Sequence, residues 1–221
     1  MNVAAIVLAR VLGYVEPIDL NPRGTVFYPE FTRELVERYN FQKFPQKLEE
    51  FDETKGVEFH QGRIGSKIIQ KFVIWNSILV VETRTSTAES KEIMGDMITW
   101  AATRFNLNYR ENMIRRYAYV SDLTFYSEAP MAGASPATRR LADRASRAVS
   151  DVWGESIMYQ PLGFNIGHDP LTRKYGIAPF QIARRSEVPF SENKYFSEAP
   201  LPTDVHITLL EEYERDLLEK P

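Results

Sequence analysis

The stretch 66–105 constrains the fold most. Lys67-Ile-Ile-Gln-Lys-Phe-Val-Ile-Trp75 and Ile78-Leu-Val-Val-Glu-Thr-Arg84 are rich in β-branched and aromatic residues, and Asn76-Ser77 separates them, the composition of a hairpin closed by a short turn. A two-residue loop there sets Trp75 opposite Ile78, Val73 opposite Val80 and Lys71 opposite Glu82, and gives the other face Ile68, Phe72, Ile74, Leu79 and Val81. One register thus yields an apolar face and a cross-strand charge pair. Ser86-Thr-Ala-Glu89 follows with the spacing of a capping box, in which serine hydroxyl and glutamate carboxylate each satisfy a free N–H of a first helical turn. Ile93, Met94, Met97, Ile98, Ala101 and Phe105 then recur at helical spacing with Trp100 beside them, and Asn106 can end the helix. This helix is expected on the hairpin's apolar face.

The flanking chain supplies further elements. Val3 to Val15 reads as a buried strand, with a helix as the competing reading, and Phe31, Leu35, Val36 and Tyr39 follow Pro29 as a short helix ending at Asn40. Residues 41–56 have no clean period and read as a connection pinned by aromatics; Val57 to His60 is a brief strand. Tyr117 to Tyr126 alternates as a strand. Ser135-Pro136 starts a helix whose Leu141, Ala145, Ala148, Val149 and Val152 face inward until Gly154. Two strands are expected near 163–167 and 177–185. A last helix over 202–220 offers Val205, Leu209, Leu210, Tyr213, Leu217 and Leu218 for packing. The pattern predicts an α+β fold: a mostly antiparallel sheet centred on the β-hairpin, with three to four amphipathic helices packed on it, as a single compact domain over 1–221.

With 221 residues, 43% of them hydrophobic, the chain can bury a substantial core and is not compositionally disordered. A net charge of -3 and a pI near 5.8 argue against strong generic attraction to nucleic acid or anionic membrane. The absence of cysteine excludes disulfides, thiolate nucleophiles and thiolate metal sites. The apolar N-terminal run contains Arg10, has no basic leader and is too short to span a bilayer, so a cytoplasmic location without membrane association is expected.

Catalytic signals are sparse. His60, His168 and His206 show no metal-ligand spacing and read as surface or turn residues, and no nucleophile elbow, Walker loop or dinucleotide fingerprint occurs. No metal and no cofactor are expected. The order helix, strand, hairpin, Glu82-x-Arg84, helix, strand resembles the core of the restriction-endonuclease-like nucleases. That resemblance implies Mg²⁺-dependent phosphodiester cleavage, with Glu82 as carboxylate and Arg84 in place of the family's lysine. The family's aspartate has no counterpart, because 61–76 contains no acid. A cross-strand pair with Lys71 accounts for Glu82 without catalysis.

Surface readings point elsewhere. Arg139, Arg140, Arg144 and Arg147 cluster on the outer side of the Ser135 helix, with further pairs at Arg115-Arg116 and Arg184-Arg185, a composition that solvation explains and that anion or nucleic-acid binding would also use. The aperiodic segment 184–202 sets Phe190, Tyr195 and Phe196 beside Arg184 and Arg185, a composition enriched at protein interfaces. Phe125-Tyr-Ser-Glu-Ala-Pro130 recurs as Tyr195-Phe-Ser-Glu-Ala-Pro200, which reads as one strand-exit chemistry used twice, or as a duplicated binding loop. Together these features predict a non-enzymatic protein-binding, adaptor or assembly subunit, with another protein or itself as partner, through Arg184, Arg185, Phe190, Tyr195, Phe196, Arg140, Arg144 and Arg147. A nuclease or nucleic-acid-binding protein is the alternative.

Overall fold

The hairpin forms in the expected register. In the computed structural model, which describes residues 1–24, 26–132, 135–172 and 176–219, β3 (Lys67–Ile74) and β4 (Ile78–Thr83) pair Lys71 with Glu82, Phe72 with Val81, Val73 with Val80 and Ile74 with Leu79. They follow β1 (Asn2–Tyr14), α1 (Pro17–Leu20), α2 (Tyr28–Tyr39) and β2 (Val57–Ile64). After them come α3 (Thr87–Phe105), β5 (Arg116–Tyr126), α4 (Pro136–Trp153), β6 (Gly163–Ile166), β7 (Phe180–Arg184), β8 (Lys194–Ala199) and α5 (Thr203–Leu218). The fold is α+β, an eight-stranded antiparallel sheet with helices packed on it. Its order is β2-β3-β4-β1-β5-β8-β7-β6. The hairpin is therefore not the centre of the sheet: β1 and β5, remote in sequence, take the middle.

Met1–Ile6, Asp122–Pro200 and Val205–Pro221 make one compact unit, and Val7–Ser121 with Leu201–Asp204 make another. The second unit is built around Val11, Leu35, Phe59, Phe72, Val81, Ile93 and Met97, which bring α2 and α3 onto β1, β2, β3 and β4. Ser86 caps α3 by accepting from Glu89 N at 3.1 Å, and Asn106 ends it in the left-handed conformation, φ 52°. Only half of the predicted capping box closes, because Glu89 accepts from the Thr85 hydroxyl at 2.6 Å instead. The expected face of β3 also changes partway along the strand. Ile69 is fully buried while Ile68 is 56% exposed, and the change of face lies, with the register unbroken, between the paired residues His60–Lys71 and Gly62–Ile69, where the facing strand carries Gln61 at φ 56°. Phe41 then packs so closely on Gly62 that a Cβ there would come within 2.5 Å of its ring.

The first unit has a smaller core of Leu123, Phe125, Met131, Ile182, Tyr195 and Leu210. Two expectations fail here. Residues 194–199 are strand β8, paired with β7 through Arg184–Tyr195 and Gln181–Glu198, not an irregular loop. Ser197 and Ala199 alternate with Phe196 and Glu198, and small residues on the buried face hid the period. Helix α5 packs through Leu210, Tyr213 and Leu217 as expected, but not through Val205, Leu209 and Leu218, which are exposed; its buried stripe is His206, Leu210 and Glu214, one turn apart.

Candidate functional site

At the end of β7 the Arg184 guanidinium lies 4.5 Å from the centre of the Phe190 ring and 5.5 Å from that of Tyr195, and it donates to the Phe190 carbonyl at 2.9 Å. Arg184 thus ties the 185–193 turn to β8, using cation–π contacts and one hydrogen bond within the chain. Tyr195 is fully buried, stacked on Phe125 with centroids 5.6 Å apart, and its hydroxyl donates to Asn193 at 3.2 Å. Burial pushes its phenol above the ordinary tyrosine range. It is a core residue, not a partner-facing one. Arg185 and part of Phe190 stay at the surface, and Phe196 is half-buried. The Arg115-Arg116 pair is engaged locally: Arg115 lies 3.5 Å from Asp19, and Arg116 covers the Tyr14 ring at 4.3 Å.

Helix α4 starts at Ser135, whose hydroxyl accepts from Thr138 N at 3.3 Å, and ends at Gly154 with φ 72°. Arg140, Arg144 and Arg147 project from one exposed side, with Arg139 off to its flank. Of the side expected to face inward only Ala145 and Val149 are half-buried: none of the 18 residues is buried, and Leu141, Val152 and Trp153 are 67%, 82% and 70% exposed. One of its attachments is polar. Ser146 and Ser150 accept from Tyr159 N at 2.8 Å and Ile157 N at 2.9 Å, so residues 157–159 run along the serine side of the helix and leave the leucine side open. Met158, Leu162 and Ile166 add exposed apolar surface on the chain that follows.

Glu82 belongs to a charged row crossing four strands. His60, Lys71, Glu82 and Arg10 are successive cross-strand partners, Arg10 Nε donates to Glu82 at 2.8 Å, and Glu58 accepts from Lys71 at 2.6 Å and lies 3.0 Å from His60. Lys71 is therefore paired with Glu58, not with the opposing Glu82. Burial raises the Glu58 carboxyl, but Lys71 and His60 outweigh it and hold it below the ordinary range. Arg84 is exposed at the strand end. Among the described residues no three His, Asp or Glu side chains gather where they could hold a metal ion.

Two arrangements were invisible to sequence reasoning. The repeated Ser-Glu-Ala-Pro motifs both receive α5: Ser127 donates to Glu214 at 2.6 Å, while Ser197 donates to the Gln181 carbonyl at 2.6 Å and lies 2.8 Å from His206 Nε2. In each copy the first aromatic, the serine and the alanine are buried and the glutamate is not, which favours shared strand-exit chemistry. His206 is thus a core histidine, contrary to the surface reading, whereas His168 sits in an exposed turn. The second arrangement is a cavity of about 300 Å³ in the Val7–Ser121 unit, between α2, α3 and the hairpin. Leu35, Phe72, Leu79, Met97 and Ala101 are among its walls, indistinguishable in sequence from core positions, and Asn21, Tyr28 and Glu53 are its polar edge.

The sequence matches no family model and no individual curated protein.

Proposed function

We propose that the chain is a non-enzymatic assembly subunit that binds protein through α4 and the segment after it, with a second copy of itself as the occupant. The carrying observation is the unburied leucine side of α4. Helices in water draw most of their stability from packing an amphipathic face, and this one, 18 residues long, fully buries none of its residues and leaves Leu141 and Val152 exposed. Exposed apolar surface on this scale marks an interaction site. Arg140, Arg144 and Arg147 border the apolar side, so a matching surface is apolar with carboxylates at its rim. The outward face of α5 has that character: Val205 and Leu209 are exposed among Asp204, Glu211, Glu212 and Asp216. Arg185 and Phe190 are further rim candidates.

Sedimentation velocity over a wide concentration range tests this. The wild type is expected at multiples of 25.5 kDa, and Leu141→Lys/Val152→Lys is expected to return it to the monomer with unchanged circular dichroism and Tm. A wild type that stays monomeric at every concentration, or a double variant that keeps the assembly, overturns the reading.

A further inference from the structure

We propose that the cavity between α2, α3 and the hairpin binds a small uncharged molecule, mostly hydrocarbon or aromatic, carrying one hydroxyl or aromatic amine. Protein interiors hold few voids larger than a water molecule, and a space of about 300 Å³ inside a closely packed unit is at the scale of a ligand pocket. Its walls come from rigid elements: Leu35 on α2, Phe72 and Leu79 on the hairpin, Met97 and Ala101 on α3. Walls of this kind do not hold water, but they do accept apolar guests.

The polar edge sets the ligand chemistry. The Tyr28 hydroxyl is buried without a well-formed hydrogen bond, and the Glu53 carboxylate, which acts on it as a charge and a weak acceptor, lines the same cavity. Burial, then the negative charge of Glu53, pushes the Tyr28 phenol far above its ordinary range, so it stays a neutral donor at any physiological pH. A guest hydroxyl or neutral aromatic amine can accept from Tyr28 and donate to Glu53, satisfying both. A carboxylate guest would meet Glu53 with like charge and is disfavoured. Entry is beside Ile18, which is exposed, and Leu107, which is half-buried.

The test uses N-phenyl-1-naphthylamine, a neutral aromatic amine that fluoresces in apolar sites. Saturable binding with one site per chain is expected. Ala101→Phe, which fills the cavity, should weaken it by more than about tenfold while Tm holds or rises, and Leu107→Trp at the entrance should do the same if the first variant folds poorly. Tyr28→Phe should weaken it by roughly three- to tenfold, the loss of one hydrogen bond. Leu141→Lys/Val152→Lys should leave it unchanged, which separates the cavity from the exposed side of α4. Absence of saturable binding, or affinity that survives both the cavity and entrance variants, overturns the proposal.

Discussion

Glu214 is buried, yet it stays ionised. Burial raises its carboxyl, and the hydrogen bonds from the Met1 ammonium, the Ser127 hydroxyl and the Glu128 N–H outweigh that and hold it below the ordinary range. A carboxyl with a depressed folded value stabilises above its unfolded value, about 4.3, and loses that contribution as pH falls through the folded one. Glu214→Gln is therefore expected to cost about 1–3 kcal/mol at pH 7, with the difference from wild type shrinking below about pH 4; calorimetry at both pH values checks it. Ile68 and Ile69 make a paired prediction. Ile69→Ala should cost about 2–4 kcal/mol and Ile68→Ala under about 0.5 kcal/mol, read by urea melts, because only Ile69 leaves a cavity. Strict alternation from the turn assigns the burial the other way round. No feature of the sequence announces that Gln61, on another strand, adopts φ 56° where the buried face changes.

Among the elements, those bounded by strong local signals were legible. Ser86 and Asn106 bound α3, Ser135 and Gly154 bound α4, and Asn76-Ser77 closes the hairpin. Strand β8 was not, because its inward residues are Tyr195, Ser197 and Ala199, two of them too small and polar or neutral to mark a face. Helix α5 was found, with Leu210, Tyr213 and Leu217 on its packed side, but its buried polar residues were not foreseen. Hydrophobicity favours Leu209 and Val205 for burial, whereas His206 and Glu214 go inside because Ser197 and Ser127 satisfy them. A buried polar residue can be foreseen only when its partner is known to be near, and these partners belong to other strands. Helix α4 inverts the usual case, with a clear amphipathic period and Leu141 and Val152 left uncovered among the described residues. Its serine attachment gives an element-level prediction. Ser146→Ala/Ser150→Ala should speed amide hydrogen exchange at Ile157 and Tyr159, whose N–H groups lose their acceptors, with little change in Tm. Unchanged exchange at those two amides would mean the segment is held by something other than the serines.

At the scale of the molecule, fold class was readable from the mixture of helical and strand periods, but sheet order was not. Strand β1 pairs with β4 through Ala9–Thr83 to Tyr14–Ile78, partners joined by no local turn. The candidate contact surface follows the same division: the arginines of α4 were legible, and the failure of its leucine side to find a place inside was not. Net charge bears on how two such molecules would meet. Each carries -3, a weak mutual repulsion that salt screens, while the local attraction between the arginine rim of α4 and the acids of α5 is screened as well. The two effects oppose each other, and the apolar contact responds to neither. Self-association through α4 should therefore change by less than about tenfold between 50 and 500 mM NaCl, measured by sedimentation, and strengthen as pH approaches the pI near 5.8. If the arginines instead engaged a nucleic acid backbone, neutralising several phosphates, affinity would fall by about 10³ or more over a narrower salt range. A steep salt dependence would move the contact from Leu141 and Val152 to Arg140, Arg144 and Arg147, and a shallow one keeps it on the apolar side of the helix.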